Sequence, residues 1–220
     1  MCFYEFKGRY HIASKNPSSS IGVIKEARQR MKFYTHLHEI FFDQPYYWLW
    51  SEMRAHTTVI DIGAFIGDSA AYFAMNPNVE KIIAFEPNEN AFRILETNRN
   101  RLPKEFKSKI TVKNEAVMDK DGYVMSTAKD ATGFNSVKVG GNTKATTLAK
   151  ELGKIKSNVV IKCDTEGSEY LIFENCNLNK VYAIQLEFHN GSEKLINEFR
   201  KQNFEVKVVG TKLGYLYAKK

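Results

Sequence analysis

The sequence predicts an α/β fold. It consists of a doubly wound, mostly parallel sheet with helices on both faces, a final antiparallel hairpin and a partly helical N-terminal extension. Three observations predict it. Residues 57–62 are a β-branched apolar run of strand length, as expected for a strand buried on both faces. A glycine turn, Gly63 to Gly67, follows at once, and Ile66, Ala70, Phe73 and Ala74 then recur at helical spacing. From there strand-like and helix-like stretches alternate, an order that implies right-handed crossovers and a parallel sheet.

The elements follow in order. Residues 1–56 precede the first core strand. Residues 1–12 are mixed aromatic and polar and read as a short strand or an arm, and 16–20 (NPSSS) as a loop. Residues 24–42 look helical, with Met31, Tyr34, Leu37 and Phe41 on one face. The aromatic stretch 44–50 (QPYYWLW) reads either as a lid or substrate wall over the site, or as a helix packed on the sheet edge by its rings. After the strand 57–62 come a helix 66–75, a strand 81–85 and a helix 88–101. That helix turns Ala91, Ile94 and Leu95 inward and has Asn88 as its N-cap. A third strand is expected over 109–117.

The rhythm changes at 118–141. Asp121-Gly122 is a hairpin signal, with 123–127 and 136–139 as short strands around it or within a longer loop, and 129–133 exposed. A helix 146–152, a buried strand 158–163, a helix 168–175, a strand 181–188 and a helix 192–202 follow. Strands 205–209 and 213–218 close the chain as an antiparallel pair, and a sheet that includes them has seven strands.

Composition narrows the class. With 220 residues and 43% hydrophobic content, the chain can build one α/β core with a short extension. The formal charge is +7, with the basic residues scattered. That reads as ordinary solubility charge, the other reading being an anionic partner such as RNA or a phosphorylated glycan. Cys2, Cys163 and Cys176 are an odd set without a CxxC, so neither a disulfide framework nor a zinc site is indicated, and Cys163 is expected in the core. There is no signal pattern and no apolar run near the ~18 residues that span a bilayer, so a soluble cytoplasmic protein is expected.

The glycine turn lies where doubly wound sheets bind nucleotides. A phosphate loop would need a Lys-Ser/Thr after its second glycine, and a dinucleotide fingerprint a middle glycine; both are missing, which makes a nicotinamide enzyme the weakest rival. Asp61 stands before the turn. Glu86 ends the next apolar run about 20 residues on, where an acid grips a ribose diol. Two acids and no phosphate site suit a cationic nucleoside, S-adenosylmethionine.

Three motifs carry a resemblance: VIDIGAFIGD at 59–68; AFEPN at 84–88 with NEAV at 114–117; and IKCDTEGSE at 161–169 with LEFH at 186–189. From residue 57 to the carboxyl end the chain resembles the class I S-adenosylmethionine-dependent methyltransferases, a Rossmann-like fold, and within them the FkbM branch. The third motif is the branch-specific one. The family's turn usually carries Asn where this chain has Phe65, which removes a polar contact near the cofactor.

The resemblance implies that Asp61, Gly63, Ala64, Phe65, Gly67 and Asp68 bind cofactor, as do Glu86, Pro87 and Asn88. It also implies that Glu115 and Ala116, with Asn114, flank the adenine and that Asp164 faces the methyl group. Residues 57–220 then form the S-adenosylmethionine-binding domain. Methyl transfer needs an aligned acceptor and, for a hydroxyl, a base. Asp164, Glu166, Glu187 and His189 are the catalytic candidates, His189 because imidazole ordinarily titrates near neutrality. No metal is assigned, although these carboxylates with the His could instead hold Mg²⁺. The expected activity is O-methylation of a small-molecule or glycan acceptor, a sugar or secondary-metabolite hydroxyl. The alternatives are an RNA methyltransferase and a non-catalytic subunit that keeps the fold.

Overall fold

A computed structural model describes residues 38–125 and 140–220, and the backbone of 2–6, 9–13, 126 and 137–139. The expected helix 24–42 therefore lies mostly outside the described residues, with Met31, Tyr34 and Leu37, and so do the loops at 16–20 and 129–133. Two short strands, β1 (Cys2–Phe6) and β2 (Arg9–Ala13), pair antiparallel. Glu39–Asp43 is a single π-helical turn with Ile40 and Phe41 buried. Helix α1 (Tyr47–Glu52) follows.

The main sheet contains β3 (Thr57–Ile62), β4 (Val79–Phe85), β5 (Ile110–Lys113), β10 (Val159–Cys163), β11 (Val181–Phe188), β12 (Glu205–Gly210) and β13 (Gly214–Lys219). Its order is β12-β13-β11-β10-β3-β4-β5, with the closing pair antiparallel and the rest parallel. The strands connect through α2 (Asp68–Ala74), α3 (Glu89–Arg101), α4 (Lys104–Lys107), α5 (Leu148–Gly153), α6 (Glu169–Phe173) and α7 (Glu193–Lys201). All six residues of the central strand β3 are buried, because period-2 alternation feeds a core on each face. Ile60 and Ile62 join Leu152, Phe173 and Phe199 on one side. Val59 joins Ile40, Phe41, Leu49 and Phe73 on the other. Asn88 caps α3 as expected, its Oδ1 accepting the Ala91 N–H at 2.9 Å; such a cap is worth about 1 kcal/mol.

The insertion differs from the sequence reading. The expected strand 109–117 is two strands. β5 stays in the main sheet, while β6 (Glu115–Met118) leaves for a second sheet with β7 (Gly122–Ser126), β8 (Val137–Val139) and β9 (Thr143–Thr147), in the order β6-β9-β7-β8. The break falls at Asn114, whose Nδ2 donates to the Glu86 and Pro87 carbonyls at 2.9 and 3.3 Å. Asp121-Gly122 turns the chain, but β9 lies between β6 and β7, so they form no hairpin. The helix expected from residue 146 starts at Leu148, because the β-branched stretch ahead of it is β9 and Thr147 is its cap, accepting the Lys150 N–H.

Among the described residues no helix is long and apolar enough to cross a membrane. Cys163 and Cys176 are both buried and free.

Candidate active site

The carboxyl tips of β4, β3, β10 and β11 open onto one cavity of about 250 Å³. The glycine turn forms its floor. The Gly63 and Ala64 N–H groups both donate to the Phe85 carbonyl, at 3.1 and 2.9 Å, which ties the turn to β4. Gly63 has φ 74°, and a Cβ there would stand 1.7 Å from the Asp164 carbonyl oxygen, so only glycine fits between the tips of β3 and β10. Phe65 has φ 47°, which aims its N–H at Glu86 Oε2 at 2.9 Å. Glu86 Oε1 accepts the Asn88 N–H at 2.8 Å. Burial pushes the Glu86 carboxyl up to about 7, against the pull of these two N–H donors and of Lys162.

Asp61 is fully buried and lies behind the wall rather than on it. Its Oδ2 accepts the Ser69 hydroxyl at 2.7 Å, and its Oδ1 is 3.2 Å from Lys162 Nζ. Lys162 also donates to the Gly63 carbonyl at 2.5 Å and lines the cavity. Burial pulls the Lys162 ammonium down, but Asp61, Asp164 and Asp68 hold it above its ordinary value. Sequence reading gave Lys162 no role. The available signal was a lysine inside an otherwise apolar buried strand, which requires a charged partner on the same face. Register supplies that partner, since Lys162 stands opposite Asp61 on one side and Gln185 on the other, with Tyr217 opposite Gln185. Gln185 in turn accepts the Leu49 N–H and donates to the Pro45 carbonyl, which seats the segment before α1 and α1 itself on the sheet.

Of the residues expected at the cofactor, Gly63, Phe65, Asp68, Glu86 and Pro87 line the cavity, as do Glu115, Ala116 and Asp164. Ala64, Gly67 and Asn88 stand behind it with Asp61 and shape the backbone. The lining also includes Glu166 and Glu187 together with Glu39, Tyr46 and Tyr215. The last three come from distant segments; Glu39 and Tyr215 were not singled out in the sequence, and Tyr46 belongs to the aromatic stretch 44–50. Burial raises Glu187 to about 6, and Asp164 pushes the same way.

His189 departs from the near-neutral range that imidazole ordinarily has. His189 stands outside the cavity wall, with Nδ1 2.9 Å from Glu169 Oε1 and Nε2 3.1 Å from Glu166 Oε2. The Glu169 hydrogen bond, with the charges of Glu169 and Glu166, raises it to about 9. At neutral pH it is an imidazolium that donates to both. Ligand-type atoms of Asp164, Glu166 and His189 gather within 4.8 Å of one another, and a metal there would have to displace the imidazolium proton.

The model of the methyltransferase FkbM domain matches residues 61–209. No curated protein matches the sequence. Among solved structures, a precorrin-6y C5,15-methyltransferase from Geobacter metallireducens is similar at 12% identity and TM-score 0.50, over 78% of this chain and 85% of that one. An rRNA methylase from Streptococcus thermophilus is similar at 12% identity and TM-score 0.48, over 79% and 92%. TrmK from M. capricolum, in complex with S-adenosyl-homocysteine, is similar at 12% identity and TM-score 0.47, over 79% and 65%, so this chain spans less than two thirds of that relative. At these identities the likenesses concern the fold. The family match covers more than half of the chain, and the chain belongs to the FkbM methyltransferase family, as an S-adenosylmethionine-dependent methyltransferase.

Proposed function

We propose that this enzyme methylates a hydroxyl of a sugar or secondary metabolite, with Glu86 at the donor end of the cavity and Glu187 as the base at the acceptor end. The observation that carries this reading is the separation of roles along one small cavity. Each Glu86 oxygen already holds one backbone N–H, which fixes the carboxylate plane and leaves lone pairs for two ribose hydroxyls. Gly63, bare of a Cβ, lets a ligand lie against the backbone, and the acid-lined walls suit a sulfonium. The residues present therefore fit S-adenosylmethionine, with Gly63, Phe65, Asp68 and Glu86 holding it and Glu115 and Ala116 beside its adenine. Asp61 acts through Lys162 and Ser69 rather than by touching it. When bound, the cofactor supplies an electrophilic methyl carbon.

The chain's own task is alignment and proton removal. Glu187 takes the acceptor's proton as the oxygen–carbon bond forms and the carbon–sulfur bond breaks. At pH 7 a carboxyl with its pKa near 6 is about 90% ionised and ready to accept. His189 cannot do this while both its nitrogens carry protons. It fixes Glu166 instead. Asp164, at the tip of the strand beside β3, orients the acceptor.

Turnover of labelled cofactor with pooled metabolites, sugars and tRNA tests the reading. Glu187→Gln is expected to lower kcat about 100-fold, with the cofactor Kd, measured by calorimetry, unchanged within about twofold. A wild-type rate in that variant removes Glu187 from the base role, and label arriving in tRNA replaces the small-molecule acceptor.

A further inference from the structure

We propose that the Tyr46 hydroxyl is the group by which this protein tells its charged donor from the neutral product: its oxygen faces the sulfonium and the methyl group which that sulfonium carries. The inference rests on the donor placement above. It adds a residue that lies outside the three sequence motifs and outside the matched span 61–209.

Tyr46 stands just ahead of α1, is 7% exposed and lines the cavity. Its place is fixed by its neighbours, since Gln185 donates to the Pro45 carbonyl at 2.8 Å and accepts the Leu49 N–H at 3.3 Å. Its ring is already engaged: it packs on Phe73 with centroids 5.8 Å apart, and Lys162 Nζ lies 5.6 Å from its centroid. Its hydroxyl is not. Among the described residues nothing makes a hydrogen bond to it. A buried phenol ordinarily finds a partner, and one left open at a cavity calls for a ligand.

Burial pushes this hydroxyl well above its ordinary value, and Asp164, Asp61 and Asp68 push the same way, in that order. It therefore stays a phenol with lone pairs to offer. The order also places it. Asp61 and Asp68 flank the glycine turn, where the donor's amino-acid arm lies, and Asp164 stands where the methyl group points. The sulfonium joins those two parts of the donor. The Tyr215 hydroxyl, by contrast, is raised by burial and then by Glu187, Glu39 and Asp164, and belongs to the acceptor end. An oxygen set against carbons bonded to a sulfonium gains from their positive charge. The contact disappears with that charge, so the spent cofactor is held less tightly than the fresh one.

Calorimetry on the full chain tests this with S-adenosylmethionine, S-adenosylhomocysteine and sinefungin, which carries an ammonium-bearing carbon in place of the methylated sulfur. In Tyr46→Phe, affinity for S-adenosylmethionine is expected to fall about fivefold, with S-adenosylhomocysteine unchanged within about twofold. Sinefungin, whose ammonium donates outright, should lose about tenfold. The melting transition should stay cooperative, because the ring and its packing remain. Equal losses for charged and neutral ligands, or unchanged affinity for either cation, overturn the inference. So does loss of cooperative melting in the variant, which would make the hydroxyl a prop of the fold. Wild-type protein that binds none of the three ligands defeats the donor-site reading, whereas wild-type binding with an unmoved ratio in the variant defeats the Tyr46 assignment alone.

Discussion

Glu86 makes the donor site sensitive to pH. Its carboxyl is buried and raised to about 7, and it is the ionised form that accepts two ribose hydroxyls. Cofactor affinity is therefore expected to be about 30-fold weaker at pH 5.5 than at pH 8.5, with a flat profile in Glu86→Gln; calorimetry across that range checks it. In the cofactor-free protein the same shift acts on stability with the opposite sense. A raised carboxyl favours folding below its unfolded value and loses that contribution as pH climbs through about 7. His189, raised to about 9, stabilises fully below about 6.5, and the gain disappears as pH climbs through 9. His189→Gln takes the cation from the buried Glu169, which keeps the Gly167 N–H, and is expected to cost about 2 kcal/mol at pH 6. The gap to wild type should close by pH 10, as read from denaturant midpoints; a gap that persists at pH 10 refutes the ion-pair account. The places of Glu86 and Asp164 on the cavity were legible in the sequence because each follows a strand end directly, whereas Asp61, also expected at the cofactor, lies behind the wall. Lys162, Glu39 and Tyr215 were not legible, because sheet register and chain return bring them to the cavity from far apart, and local spacing carries no record of that; Tyr46 lay in an aromatic stretch that had two readings.

At the level of elements, the floor of the site is the joint between β3 and α2. Gly63→Ala drives a methyl group into the Asp164 carbonyl at a backbone angle that L-residues resist. We expect it to cost about 3 kcal/mol or more and to abolish cofactor binding. Gly67 also has positive φ, but an added Cβ would meet the movable Leu95 side chain at 3.2 Å. Gly67→Ala should cost about 1–2 kcal/mol and keep measurable binding. Equal losses in the two variants would mean that strain, not the Asp164 contact, sets the penalty. Core strands were readable because strands covered on both faces are plain apolar runs; β3 and β11 match their expected limits to the residue. The insertion was not readable, because β6 and β9 are strands of four and five residues whose pairing depends on long-range contacts. Asn114 ends β5 through hydrogen bonds made to the strand next door.

The main sheet has a core on each face, and the described segment before β3, residues 38–56, belongs to it. Ile40, Phe41, Tyr46, Leu49 and Met53 are all buried in the core that Val59 shares. A chain shortened to begin at residue 57 is therefore expected to lose cooperative unfolding, and Leu49→Ala alone should cost about 2–4 kcal/mol. A shortened chain with an unchanged melting transition would show that the segment is an independent lid. In the aromatic stretch Trp48 packs edge-on against Tyr217, and Tyr46 lines the cavity. The polar row Asp61, Lys162, Gln185 and Tyr217 has a consequence for assembly of the sheet. Parallel strands of plain valine and isoleucine have little to tell them apart, and a slip of one residue would turn Lys162 toward the opposite, hydrocarbon side with no carboxylate to meet it. The ion pair beneath the catalytic floor thus serves as an alignment key, rejecting mismatched strand pairings while the protein folds.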